Sequence, residues 1–124
     1  MCDEDLQLAE HILAGETEIF KTWCVSVGGV SADSHVRRIL NRIFGHEYSL
    51  LFNLTGPGGN KSYSKLAICP IVNDEVIESH KVTEQVAEDV CANFFRYVKD
   101  RKGGRSKKNL WSIYINSRQV FVYN

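Results

Sequence analysis

The chain has no C-x-x-C pair, no run of 18 apolar residues, no G-x-S-x-G and no internal repeat or low-complexity segment, and each absence closes off a class of protein. Its four cysteines, Cys2, Cys24, Cys69 and Cys91, are scattered, and the histidines His11, His35, His46 and His80 show no ligand spacing. Zinc takes four ligands in tetrahedral reach, usually delivered in close pairs, so no metal is expected and the thiols read as buried and free. Without a long apolar run there is no membrane span. The first residues, MCDEDLQLAEHI, are acidic and lack an apolar h-region, so no secretory signal is expected and the thiols should stay reduced. The sequons at Asn53 and Asn60 are then chance matches. Two pairs of adjacent acids, Asp74-Glu75 and Glu88-Asp89, fall on expected helices, where neighbours point about 100° apart and cannot act as a dyad. With no nucleophile motif either, neither an enzyme nor a cofactor is expected.

What is present suits one globular domain. The 124 residues, 14.1 kDa, are 44% hydrophobic and 24% charged. The formal charge of zero conceals a gradient: residues 1–30 carry −5, residues 31–80 balance, and residues 81–124 carry +5. Such a chain can bind a polyanion at one end or neutralise itself when its ends fold together.

Apolar periodicity predicts six helices. Asp3, Glu4 and Asp5 favour the positive end of a helix over 3–14 with Leu6, Ala9 and Leu13 on one face, and Gly15 stops it. A second, over 17–27, carries Ile19, Phe20, Trp23, Cys24 and Val27 and ends at Gly28-Gly29; VSV at 25–27 is also compatible with extended chain. The third, 33–44, has Asp33 as its cap, the stripe Val36, Ile39, Leu40, Ile43 and Phe44, and Gly45 as its end, with Arg37, Arg38, Asn41 and Arg42 facing outward. A short helix over 46–53 follows. Pro70 suits the first turn of a helix over 70–79. Thr83 caps the last, 84–101, whose expected inward face is Val86, Val90, Phe94 and Val98, widened by Ala87, Cys91 and Phe95. Ile39, Leu40, Ile43, Phe44, Val90 and Phe94 are the expected core. The tail, with LWSIYI and VFVYN separated by NSRQ, is β-branched and aromatic and reads as a hairpin or two edge strands. The fold class is therefore mainly α, a compact helical domain over 1–109 with a small β-hairpin-like element over 110–124.

Between the fourth and fifth of these helices lies TGPGGNKSYSKL, residues 55–66. Lys61-Ser62 matches the end of a P-loop, but Asn60 precedes the lysine and Thr55 stands where the first glycine belongs, and no βαβ pattern surrounds it. A glycine-rich connection bearing Lys61 and Lys65 is the better reading, with backbone N–H groups able to meet a nucleic-acid phosphate.

The order of Gly28-Gly29, Val36-Arg37-Arg38-Ile39-Leu40, Ile43-Phe44, Thr55-Gly56, Lys61, Leu66 and Phe95-Arg96 over about residues 5–102 resembles the animal domain of unknown function forty-eight-oh-six. That family is in turn distantly similar to BEN domains, helical modules that bind DNA and chromatin. The resemblance implies a small helical domain without a known catalytic residue, in nuclear or mobile-element-derived invertebrate proteins. Pro70 and residues 110–124 depart from the family pattern.

Two functions stay open. The first is a nucleic-acid or chromatin binding module, DNA favoured and nuclear, that contacts phosphates through Arg96, Lys99, Arg101, Lys102, Arg105, Lys107 and Lys108, with Lys61 and Lys65 as a second point. The second is a protein-protein interaction or self-association module, binding a nuclear partner or forming a homodimer through the aromatic tail with Trp111, Tyr114, Phe121 and Tyr123. Basic residues also favour any helix C-terminus, and they serve as nuclear-localisation signals.

Overall fold

The computed structural model describes residues 1–100, and over these it is mainly helical. Helix α1, Asp3–Leu13, opens on its three carboxylates and buries Leu6, Ala9 and Leu13. Helix α2, Thr17–Val27, stays helical through VSV and buries Phe20, Cys24 and Val27. It ends as expected at Gly28, whose φ of 62° is left-handed. The next glycine has a different reason to be there. A Cβ on Gly29 would stand 2.6 Å from the His35 backbone, so only glycine lets the end of α2 lie this close to the next helix.

Helix α3, Ala32–Ser49, is capped by Ser31, whose hydroxyl accepts from the Ser34 N–H at 3.1 Å. Asp33, the expected cap, instead sits in the first turn beside Arg37, 3.8 Å from its guanidinium. The stripe Val36, Ile39, Leu40, Ile43 and Phe44 is fully buried. At Gly45 (φ 75°, ψ 169°) the helical geometry breaks, and it resumes up to Ser49. The expected helix over 46–53 therefore stops short: Phe52–Asn53 form a strand, β1, paired in parallel with Lys61–Ser62, β2. The reason is aromatic. Phe52 is drawn into a buried cluster with Phe44 (ring centroids 5.1 Å apart) and Phe95 (6.1 Å), and Tyr63 closes it against Phe95 at 5.1 Å.

Helix α4, Ile68–His80, starts two residues before Pro70, which falls in the first turn where no intrahelical N–H bond is lost. Its cap position, Ala67, has no side-chain acceptor. Glu10 of α1 supplies one from 57 residues away: its carboxylate accepts from the Ala67 N–H at 2.6 Å and the Ile68 N–H at 3.2 Å. Helix α5, Glu84–Val98, is capped by Thr83 as expected, 3.2 Å from the Val86 N–H, and Lys99 ends it before residue 101.

The core lies where α3, α4 and α5 meet. The inward face of α5 is rotated from the expected one. It centres on Ala87, Cys91, Phe94, Phe95 and Val98, while Val90 is half-buried and Val86 is 40% exposed. Small Ala87 and Cys91 let α3 and α4 approach the axis closely, and the valines are left on the flank. The other expected core residues, Ile39, Leu40, Ile43, Phe44 and Phe94, are buried. No helix of the described residues is long and apolar enough to cross a membrane. The expected β element over 110–124 lies outside the described residues.

Candidate functional site

The glycine-rich segment is folded largely upon itself. Asn53 accepts from the Gly56 N–H through its carbonyl and donates its amide to the Pro57 carbonyl at 3.3 Å; the Asn60 amide donates to the same oxygen at 2.8 Å. The Lys61 N–H donates to the Leu51 carbonyl, and the Ser64 N–H to that of Leu54, both at 2.8 Å. Gly56 turns at φ 88°, where a Cβ would press on Ser62 at 3.0 Å. Lys61-Ser62 belong to strand β2, and a short 3-10 turn, Tyr63–Lys65, follows. A P-loop needs its Lys-Ser pair at the opening of a helix whose N–H groups face the phosphates, and that arrangement is not formed here.

Two of the sequence-predicted cations do converge. Lys61 and Lys65 line one open cleft of about 330 Å³ with Thr55, Asn60 and Ser62, above Leu6 and Phe52. Lys61 already has a partner: its ammonium is 3.1 Å from Asp3, which also accepts from the Tyr48 hydroxyl at 2.6 Å. The Tyr48 bond and then Lys61 hold the Asp3 carboxyl below its ordinary value, and burial beside that carboxylate pushes the Tyr48 phenol up. Lys65 is exposed.

Arg96 and Lys99 stand in solvent on the last turn of α5, with no acid in ion-pair reach among the described residues. Arg101, Lys102, Arg105, Lys107 and Lys108 lie outside the described residues. On α3, Arg37 and Arg38 are exposed and Arg42 half-buried. Arg37 lines a shallow groove of about 140 Å³ with Asp33, Phe94 and Tyr97.

Sequence spacing gave no hint of a part-buried histidine pair between α3 and α4. His35 is 2% exposed; its Nε2 is 2.8 Å from the Cys24 carbonyl and its Nδ1 is 3.0 Å from His80 Nε2. The carbonyl can only accept, so His35 Nε2 carries a proton; in the neutral pair Nδ1 then accepts from the His80 N–H. Burial first, and then His35, pull the His80 imidazole below its usual value, against the pull of Glu75. Glu75 is itself buried and accepts from the Ser79 hydroxyl. A fold that brings residues 35 and 80 together is the only signal that could have found this contact, because neither has a histidine neighbour in the chain.

The thiols behave as expected, apart from exposed Cys2. Burial raises Cys24 and Cys91 to about 12 and Cys69 to about 11, so all three stay protonated at neutral pH and are poor nucleophiles and ligands. Asn73 spans two of them, donating to Cys69 Sγ at 3.6 Å and accepting from the Cys91 thiol at 3.5 Å. Among the described residues the buried Tyr63 hydroxyl has no hydrogen-bond partner, and burial first, then the neighbouring Cys91, pushes its phenol well up. Among the described residues no three His, Cys, Asp or Glu side chains are grouped to hold a metal ion.

No family model matches the chain, and neither a curated protein nor a solved structure matches it.

Proposed function

We propose that this chain is a nucleic-acid binding module, DNA favoured and nuclear, whose contact is the basic stretch of Arg96, Lys99, Arg101, Lys102, Arg105, Lys107 and Lys108. The observation that carries the reading is the separation of charge. All 15 acids fall within residues 1–100 against nine bases, a balance of −6; residues 101–124 hold six bases and no acid. A polyphosphate approaching the helical body broadly is repelled, whereas the stretch from Arg96 to Lys108 offers it seven cations interrupted by one acid, Asp100. Exposed Arg96 and Lys99, with no acid partner among the described residues, begin that approach. Lys61 and Lys65 add a second point of lesser weight, because Asp3 neutralises Lys61 in part.

A second reading, a protein-interaction module, has its own support in the apolar flank of α5, where Val86 and Tyr97 are 40% and 53% exposed. Retention on immobilised duplex DNA in a rising salt gradient separates the two. Binding at low salt that is released steeply by salt supports the first reading. No retention at low salt overturns it.

A further inference from the structure

Lys61 and Lys65 share one cleft, and the backbone at both is fixed. Lys61 is paired with Phe52 across β1 and β2, and the turn Tyr63–Lys65 is closed by the Leu66 N–H, which donates to the Tyr63 carbonyl at 3.0 Å. The cleft, about 330 Å³ and open to solvent, also presents the Thr55 and Ser62 hydroxyls, the Asn60 amide and half-buried Leu66. Its donors are not used up. Among the described residues Lys65 has no ion-pair partner and the Thr55 hydroxyl no hydrogen bond. Gly56 lines the same wall, where a Cβ would stand 3.0 Å from the Ser62 Cβ, so glycine keeps that wall bare. One carboxylate is already seated beside the cleft: a single Asp3 oxygen accepts from Lys61 at 3.1 Å and from the Tyr48 hydroxyl at 2.6 Å.

We propose that this cleft binds one monocarboxylate carried on a short aliphatic body, as a free acid or as the C-terminal residue of a peptide. Charge selects the head group. Two ammonium groups against the Asp3 carboxylate leave a single positive charge, which a monocarboxylate neutralises and a phosphate dianion overshoots. Asp5, whose charge reaches Tyr48 alongside that of Asp3, adds to the penalty on a dianion. Donor type points the same way. The Gly56, Asn60, Lys61 and Ser64 N–H groups already donate, so the cleft offers ammonium and hydroxyl donors suited to two oxygens rather than the row of amides that holds a phosphate. Asp3 is no obstacle, because it and Lys61 are both well exposed and such a pair is held weakly enough to exchange. Size selects the body. The volume lies at the small end of the roughly 300–1,000 Å³ range of ligand sites, and Leu66, with Leu6 beneath, gives an aliphatic chain a surface to cover. The inference does not rest on nucleic-acid binding, whose main contact is proposed at the end of α5.

Titration of the nitrogen-15-labelled full-length protein with 4-methylpentanoate, at constant ionic strength and followed by NMR, tests this. The amides of Gly56, Lys61, Ser62 and Lys65 should shift together and saturate, with a midpoint on the order of millimolar for so small a ligand. The uncharged 4-methylpentanamide, and inorganic phosphate at a pH where it is a dianion, should each bind about tenfold more weakly or worse. Lys65 is exposed, so variants there should leave the helical circular dichroism intact. Lys65→Ala should weaken the acid about tenfold, whereas Lys65→Arg, and Lys21→Ala on α2, should not. Asp3→Asn should strengthen it, because the competitor for Lys61 is gone. Acetyl-Gly-Gly-Leu with a free C-terminus separates the two sources: tighter binding than the free acid assigns the cleft to peptide ends, and weaker binding assigns it to small acids. The absence of saturable shifts at these amides overturns the proposal. Equal binding of the amide or of phosphate does so too, as does indifference to Lys65→Ala.

Discussion

His35 Nδ1 lies 3.0 Å from His80 Nε2, and only one proton fits between them. Because the Cys24 carbonyl fixes the other proton of His35, a second charge on the pair would set two N–H groups against each other. His80 is held below its ordinary 6.5 by burial and by its neighbour. The folded state therefore takes up its proton later than the unfolded chain. The contribution of His80 is fully present above 6.5, is lost progressively as pH falls below that value, and levels off below the folded pKa. We expect urea midpoints to fall between about pH 7 and pH 5, a range set by the ordinary imidazole value. His80→Gln, which keeps an N–H donor without titrating, should flatten that fall. An equally steep fall in the variant would assign it to other groups.

Glu10 ties α1 to the start of α4, and no acceptor at Ala67 can replace it. Glu10→Ala should cost about 0.5–2 kcal/mol, as loss of an N-cap does. Glu10→Gln keeps one carbonyl acceptor and should lose less. Chemical denaturation of the two variants measures both, and an equal cost would show that the capping bonds are not the cause.

Ile43 is fully buried in the stripe of α3, within the hydrophobic core. Ile43→Ala removes those contacts and leaves a cavity, so we expect a loss of about 2–5 kcal/mol by the same measurement. Val86→Ala, on the exposed flank of α5, should stay within about 0.5 kcal/mol in a chain truncated after Asp100.

The pattern of legibility follows from the range of the forces involved. The stripe Val36, Ile39, Leu40, Ile43 and Phe44 could be read from the chain because amphipathic period is local, as could the Thr83 cap and the tolerated Pro70. The Ser31 cap was missed in favour of Asp33 because both residue types cap equally well and only the path of the backbone decides between them. Phe52 was read as helical because its attraction to Phe44 and Phe95 is tertiary. The face of α5 was misjudged by one flank because hydropathy ranks valine above alanine, whereas close helix packing favours Ala87 and Cys91. At the candidate site, composition located Lys61 and Lys65 but not the Asp3 partner, which arrives from the far end of the sequence.

With Lys61-Ser62 in a strand and the Gly56, Asn60, Lys61 and Ser64 N–H groups already donating, the glycine-rich segment does not present the helix-opening row of donors that holds a triphosphate. Calorimetric titration with ATP or GTP and magnesium should show no saturable heat at micromolar concentrations. Saturable binding that Lys61→Ala abolishes would reverse this reading of the loop.

The basic stretch and the α3 arginines make opposite demands on a DNA-binding experiment. Cations that meet only phosphates weaken binding to every sequence when removed, and they lower its salt dependence. If about four phosphates are neutralised on duplex DNA, log K should fall with log salt at a slope of about −3.6. Replacing Arg105, Lys107 and Lys108 together with Ala should flatten that slope by up to about three units, equally on two unrelated duplexes. Arg37, Arg38 and Arg42 instead project from a regular helix of the kind that enters a major groove. Arg37 is engaged with Asp33, however, and Arg42 is half-buried, so only Arg38 is both exposed and free of an ion pair among the described residues. Substituting that trio should therefore leave the slope nearly unchanged and should not alter preference between the duplexes. A change of preference would place base reading on α3 and move the interface away from the end of α5.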